Sequence, residues 1–229
     1  MSLLNLTPIS EYNNEDIFIA GYPKSGNTWL KTLIASILLE TSTSRLTPTL
    51  VNEVIPDVHG KKYYKRYFPI TFFKTHHLPQ PNYKKVIHLV RDGRDAMVSY
   101  YKMESHKTSN DSITLEDMVK NGERLFPSKW FYHTRKWIEN PFNSEILVVK
   151  YEDLKENPFN ELKRICSFSN LKIEDDLLSK IIKQNEIDSM RNRFSKYGVE
   201  NEKMFKNNDI SLFFRKGNIG DYKKEMSEE

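Results

Sequence analysis

The chain has 229 residues and a formal net charge of +4. This length suits one domain with a substantial core, and the scattered positive charge does not favour general nucleic-acid binding. One cysteine, Cys166, rules out an internal disulfide and cysteine-based metal sites, so we expect it to pack as a small hydrophobic residue. The absence of a bilayer-length apolar stretch and of a secretory-signal pattern predicts a cytoplasmic protein without a membrane span.

The first strong pattern is an apolar strand, IFIA (17–20), followed by the loop GYPKSGNTW (21–29). Apolar residues then recur at helical spacing, so a helix should begin here, capped by Thr28 or Asn27. A glycine loop between strand and helix is typical of phosphate binding, because backbone N–H groups and the helix N-terminus face the anion. Nucleotide hydrolases have lysine where this chain has Asn27; here the lysine is Lys24. At the loop tip it could stabilise charge on an oxygen that bridges a phosphate and a transferred group.

The rest of the chain alternates between predicted strands and helices after an irregular, aromatic segment at 41–70. Strands are expected in ITFFKTH (70–76), KKVIHLVRD (84–92) and EILVVKYED (145–153), and helices in 95–103, 114–126, 127–140, 158–168 and 174–186. Thr114 and Asp117 have capping-box spacing, and Pro127 suits a first helical turn. We therefore predict a single α/β domain (1–229), with a central parallel sheet flanked by helices on both faces and a loosely ordered segment at 1–15.

Polar residues follow two of these strands, where ligands gather in parallel sheets. His76 ends the strand ITFFKTH and could act as a general base, with His77 as its competitor. Packing or surface roles are expected for the other histidines, which are His59, His88, His106 and His133.

Arg91 ends the next strand, and Ser99 lies in the helix after it. Together they could bind a second phosphate, although a surface arginine and a helix serine without a ligand would look the same. RKG (215–217) could form an anion cradle or part of a lysine-rich tail.

From about residue 16 to 224 these segments together resemble the cytosolic sulfotransferase family, which uses 3′-phosphoadenosine 5′-phosphosulfate (PAPS). YPKSGNTWL resembles its loop for the 5′-phosphosulfate, VRDGRDAMVSYY its 3′-phosphate segment, and RKGNIGDYK its C-terminal glycine motif. KTH and KYEDLKENP lie between them in the family's order.

The resemblance implies in-line transfer of a sulfuryl group to a hydroxyl or amine of a small acceptor, with adenosine 3′,5′-bisphosphate as product and no metal. It makes His76 the base and Lys74 a residue assisting transfer, and it places Lys24 near the bridging oxygen. Trp29 would stack on adenine and Tyr151 would bond to it. The donor-binding residues it assigns are Lys24, Ser25, Gly26, Asn27, Thr28, Trp29, Arg91, Ser99, Tyr151, Arg215, Lys216 and Gly217.

Some residues depart from the family pattern. Asn27 replaces the first of two threonines, His77 follows His76 where an apolar residue is expected, and Tyr222 replaces a tryptophan. Asn185–Ile187 differ from the family's adenine segment. The aromatic segment 61–73 predicts an apolar pocket wall, and hence a phenol or a hydrophobic alcohol as acceptor.

Two alternatives stay open at the level of sequence. One is an ATP-dependent kinase in which Asp92 binds magnesium, and the other is a nucleotide-binding protein without catalysis. The oligomeric state is not predicted.

Overall fold

A central sheet of four parallel strands organises the molecule. The computed structural model describes residues 5–41, 46–107, 113–197 and 217–226. The strands, in spatial order, are β4 (Phe72–Thr75), β2 (Ile17–Gly21), β5 (Lys85–Val90) and β6 (Glu145–Lys150). The predicted parallel sheet is confirmed, and each of its four strands was expected from the sequence.

Helices cover both faces of this sheet. They are α1 (Asn27–Leu38), α2 (Pro48–Val54), α3 (Gly93–Lys107), α4 (Leu115–Asn121), α5 (Trp130–Glu139), α6 (Tyr151–Glu156), α7 (Pro158–Phe168), α8 (Asp175–Gln184), α9 (Ile187–Tyr197) and a 3-10 turn (Asp221–Lys224). In the described part of the chain, no helix combines the length and the apolar character needed to cross a bilayer.

The central strand β2 is buried on both sides, which explains its continuous apolar run. Ile17 and Ile19 face the core shared with α1, α7 and α8. Phe18 faces the opposite side, where it packs with Trp137 of α5. Cys166 lies in the first of these cores, as expected.

Several elements differ from the prediction. Gly26, with φ 96°, is the N-cap of α1, while the Asn27 amide donates to the Tyr22 carbonyl at 2.8 Å; the predicted cap at Thr28 or Asn27 was wrong. α5 begins at Trp130, after Pro127. The Thr114 capping box of α4 is confirmed.

Two more elements lie in segments that were expected to be irregular or loose. α2 and the short strand β3 (Tyr63–Lys65) fall within 41–70. β3 pairs antiparallel with β1 (Leu6–Pro8). Residues 6–8, within the segment 1–15, are therefore held by backbone pairing.

A buried carboxylate secures the start of β2. Asp16 is fully buried and accepts from both terminal nitrogens of Arg66, at 2.7 and 2.8 Å. It also accepts from the backbone N–H groups of Asn13 at 2.7 Å and Thr71 at 2.9 Å. These hydrogen bonds replace the water that the carboxylate loses on burial. They also connect the residues just before β2 with the residues just before β4.

Arg66→Met should lower the free energy of unfolding by about 3 kcal/mol, because it removes the ion-pair partner of a buried carboxylate and leaves Asp16 with only its two backbone N–H donors. Urea denaturation would measure the loss. Lys120→Ala, which removes an exposed pair with Glu116, should leave the midpoint unchanged. Equal midpoints for both variants would show that the Asp16 pair does not support the fold.

Candidate active site

The loop between β2 and α1 makes a tight turn. Lys24 and Gly26 have left-handed φ values of 66° and 96°. A Cβ on Gly21 would lie 2.3 Å from Asn27 Oδ1, and one on Gly26 would lie 2.7 Å from the ring of Tyr151. Glycine is therefore required at both positions, and the loop backbone can approach an anion closely.

His76 follows β4 and is bonded to the first residue of this loop. Its Nδ1 lies 2.6 Å from the Gly21 carbonyl oxygen. Because a carbonyl only accepts, Nδ1 carries the proton and Nε2 keeps a lone pair. Burial, together with the nearby Lys74 charge, holds the pKa of His76 well below its usual 6.5. The ring is therefore neutral at pH 7 and can accept a proton at Nε2.

The ring of His77 contacts Tyr83 and His59. Its Nδ1 lies 3.0 Å from the hydroxyl of Tyr83, and its carbonyl accepts from the Trp137 indole at 3.2 Å. Of the two adjacent histidines, only His76 is bonded to the phosphate loop.

The other histidines differ in their surroundings. His88 and His133 are buried, as expected, whereas His59 contacts His76 directly. The side chain of His106 lies outside the described residues.

Lys74, the other charged member of KTH, is paired with Asp57. The Nζ atom donates to Asp57 Oδ2 at 2.6 Å. Burial alone would raise the pKa of Asp57, but the charge and hydrogen bond of Lys74, with a bond from the His59 backbone, hold it below its usual range. The carboxylate is therefore ionised at neutral pH.

Arg91, just after β5, connects the loop to the C-terminal segment. It donates to the carbonyl oxygens of Lys24 at 3.0 Å and Asn218 at 3.1 Å, and its guanidinium lies 4.5 Å from the centre of the Tyr151 ring. The Tyr151 hydroxyl donates to the Gly217 carbonyl at 2.9 Å. Segments that are distant in sequence thus meet at one edge of the sheet.

The C-terminal turn is fixed to α3. The buried carboxylate of Asp95 accepts from the backbone N–H groups of Gly220 at 2.7 Å and Tyr222 at 3.0 Å. The guanidinium of Arg94 lies 3.9 Å from the centre of the Tyr222 ring. Arg215 and Lys216, which were expected to bind phosphate, lie outside the described residues.

Two polar groups beside the loop suit a bound anion. The Ser25 hydroxyl and the Arg91 Nε are buried without a hydrogen-bond partner within the described ranges. Buried polar groups nearly always have partners, so two orphaned donors next to a glycine loop fit a phosphate group. Ser99 is also buried, on α3.

Lys155 adds a further positive charge that sequence reasoning missed. It donates to the Gly217 carbonyl, and burial together with the Arg91 charge lowers its pKa. Lys155 lies in the segment KYEDLKENP, so an inspection of the basic residues in that segment could have identified it as a candidate.

Trp29 and Tyr151 form an aromatic corner beside these charges. Their ring centres are 5.8 Å apart, edge to face, and the Trp29 indole donates to the Asn185 carbonyl at 2.9 Å. Asn185 is fully buried, and Ile187 lies against Gly217. The segment that departs from the family pattern therefore borders the same site.

The carboxylate required by the kinase hypothesis is engaged elsewhere. Asp92 accepts from Arg94 at 3.0 and 2.6 Å, and these bonds to Arg94 lower its pKa. The kinase hypothesis is not favoured.

Known proteins share this sequence and this fold. A family model described as "Sulfotransferase domain" matches residues 14–229. Sulfotransferase 1E1 of Bos taurus is 30% identical over 93% of this chain and 78% of its own length. Sulfotransferase 1B1 of Mus musculus is 28% identical over 96% of this chain and 81% of its own.

Among solved structures, mouse sulfotransferase SULT7A1 complexed with PAP aligns with a TM-score of 0.67 at 20% identity, covering 95% of this chain and 81% of that one. Retinol dehydratase in complex with androsterone and inactive cofactor PAP aligns with a TM-score of 0.66 at 20% identity, covering 95% and 78%. At this identity, both comparisons establish the fold.

The family match spans nearly the whole chain, and the sheet and phosphate loop have the architecture that the sequence motifs predicted. The chain therefore belongs to the cytosolic sulfotransferase family and is a sulfotransferase whose donor is PAPS.

Proposed function

We propose that this enzyme transfers the sulfuryl group to a hydroxyl of a small molecule, with His76 as general base and Lys24 and Lys74 as electrostatic catalysts. The observation that carries this assignment is the 2.6 Å contact between His76 Nδ1 and the Gly21 carbonyl. It leaves Nε2 as the basic atom and ties the base to the loop that would bind the phosphosulfate.

The donor supplies an activated sulfuryl group joined to the 5′-phosphate through a bridging oxygen. His76 Nε2 takes the acceptor proton as the acceptor oxygen bonds to sulfur. Lys24 stabilises the negative charge that the bridging oxygen gains as the original S–O bond breaks. Lys74 can donate to the sulfuryl oxygens, since an ammonium has three donors and Asp57 takes one.

The donor's two ends would occupy neighbouring parts of the site. We assign the 5′-phosphosulfate to the loop residues Ser25–Thr28, and the adenine to the corner formed by Trp29 and Tyr151. The 3′-phosphate is assigned to Arg91, Ser99, Arg215, Lys216 and Gly217. The orphaned donors on Ser25 and Arg91 support the two phosphate assignments.

The acceptor side differs from the sequence expectation. Phe72 and Phe73 are buried in the core, and Tyr63 and Tyr67 lie on the surface, so the aromatic segment 61–73 does not form the expected pocket wall. The half-exposed ring of Phe126 lies 5.2 Å from His59.

We propose a phenol as the acceptor class, with its ring against Phe126, and the cytoplasm as the compartment. Solved retinol dehydratase complexes contain androsterone and retinol, which supports a small hydroxyl compound. An acceptor screen with radiolabelled PAPS tests this proposal; transfer to amines but to no hydroxyl compound would contradict it.

Calorimetry should show that adenosine 3′,5′-bisphosphate binds without magnesium and more tightly than ATP or ADP, since the site offers donors for two separate phosphates. Arg91→Met should weaken bisphosphate binding by about 1.5–3 kcal/mol. The same change should affect adenosine 5′-monophosphate less, because that nucleotide lacks the 3′-phosphate. Tighter binding of magnesium–ATP would refute the donor assignment.

His76→Ala should lower turnover by about a hundredfold or more, while bisphosphate affinity stays near the wild-type value. His77→Ala is the matched control and should have a much smaller effect, because its ring contacts Tyr83. Steady-state kinetics with the best phenol of the screen would test both. An active His76→Ala enzyme beside an inactive His77→Ala enzyme would reverse the assignment.

Lys24→Met should reduce turnover strongly but weaken bisphosphate binding only modestly, because the charge that it stabilises develops as the S–O bond breaks. The double substitution Lys24→Ser with Asn27→Lys moves the lysine to the position that it has in nucleotide hydrolases. It should not restore sulfuryl transfer. Turnover and bisphosphate affinity should be measured for all three proteins. Rescue by the double substitution, or a loss of affinity alone, would show that the lysine position is irrelevant to the chemistry.

A further inference from the structure

We propose that Asp57 and His59 are positioning residues for sulfuryl transfer, with Asp57 holding Lys74 and His59 holding His76. This inference rests on the roles assigned above to Lys74 and His76. The segment that contains both residues was expected to be irregular, and its histidine was expected to have a packing or surface role.

The backbone of residues 56–59 runs alongside β4, which is an edge strand of the central sheet in the part of the chain that the structure describes. The Lys74 N–H donates to the Pro56 carbonyl at 2.9 Å, and the Val58 N–H donates to the Lys74 carbonyl at 3.1 Å. Asp57 and Lys74 thereby form a parallel bridge. The segment is hydrogen-bonded directly to the catalytic end of the strand.

The carboxylate of Asp57 is held at both oxygens. Oδ2 accepts from Lys74 Nζ at 2.6 Å, and Oδ1 accepts from the His59 N–H at 3.0 Å. Rotation of the carboxylate would break at least one of these bonds. A lysine side chain has large rotamer freedom, and this fixed partner removes much of it before the donor binds.

His59 contacts the base through both its ring nitrogen and its ring face. Nε2 accepts from the backbone N–H of His76 at 2.9 Å, and the two rings lie stacked with centres 5.6 Å apart. Burial lowers the pKa of His59 to about 4. The ring is therefore neutral at pH 7, as an accepting nitrogen requires.

His76 is thus fixed from two directions. Gly21 holds its Nδ1 from β2, and His59 holds its backbone from the segment beside β4. Small displacements of a catalytic group can cost large factors in rate. Loss of the His59 contact should therefore appear in turnover rather than in donor affinity.

A double-mutant cycle tests Asp57. Asp57→Asn keeps the size of the side chain and an acceptor for the His59 N–H, but removes the charge that faces Lys74. With radiolabelled PAPS and β-naphthol, turnover should fall about tenfold, and bisphosphate affinity should change less than about twofold. In a Lys74→Met background, the same substitution should have no further effect.

Glu53→Gln is the matched control, because it removes another carboxylate of this region, paired with Lys61; turnover should stay at the wild-type value. Additive losses for Asp57→Asn and Lys74→Met, or full activity of Asp57→Asn, would overturn the role of Asp57.

A matched pair of substitutions tests His59. His59→Gln provides an oxygen near the position of Nε2, whereas His59→Leu provides no acceptor. The glutamine variant should keep most of the turnover, and the leucine variant should lose about tenfold. Nitrogen NMR of the imidazoles should show His76 protonated at Nδ1 in the wild type and in His59→Gln, and a tautomer mixture in His59→Leu.

Equal turnover and equal His76 tautomers in the two His59 variants would overturn its positioning role. A wild-type enzyme that transferred sulfate to no acceptor would instead refute the proposed function. The NMR comparison would still decide whether His59 orients His76, because it requires no acceptor.

Discussion

The imidazole of His76 donates to the carbonyl of Gly21 across 2.6 Å, and this bond joins the ends of two neighbouring parallel strands. It leaves Nε2 as the basic ring nitrogen, and through Nδ1 it ties the ring to the first residue of the glycine loop. The loop can turn back tightly because Gly21 has no side chain where Asn27 approaches. It can also pack against Tyr151 because Gly26 has no side chain there. The position of the proposed base and the shape of the proposed anion site therefore depend on the same short segment.

The order of the sheet extends this arrangement. Along β4, β2, β5 and β6, each strand supplies one part of the site at or just after its carboxyl end. These parts are His76, the glycine loop, Arg91 and Tyr151. Parallel strands in register place those ends side by side, so the proposed base and the residues proposed to bind the nucleotide form one continuous row. Arg91 crosses this row by bonding to the Lys24 and Asn218 carbonyls.

Among the described residues, buried polar groups differ in whether they have hydrogen-bond partners. Asp16 is satisfied by Arg66 and two backbone N–H groups, and it contributes to stability. Ser25 and the Arg91 Nε have no such partner among the residues the structure describes, although both are equally hidden from solvent. Leaving a buried donor unpaired costs free energy, which is acceptable where a ligand restores the bond. Unpaired buried groups also occur elsewhere, such as Trp130 Nε1 and Ser169 Oγ, so it is the position of Ser25 and Arg91 beside the glycine loop that suits substrate binding.

The sequence alone determined the four strands of the central sheet, most helices and the glycine loop, because periodicity and glycine placement act within short segments. It also predicted Lys24, Arg91 and Tyr151 as site residues, since each lies in a contiguous motif at a strand end. The family resemblance already named His76 as the base, with His77 as its competitor. The tertiary structure adds the partner that each ring reaches, which is the Gly21 carbonyl for His76 and the Tyr83 hydroxyl for His77.

Asp57 and His59 had no comparable signal, because their bonds to Lys74 and His76 cross 17 residues. Pairing over such distances is set by how the edge of the sheet is covered. For the same reason the aromatic residues of 61–73, expected around a pocket, lie in the core or on the surface. Composition identified them as aromatic, but packing decided what they contact.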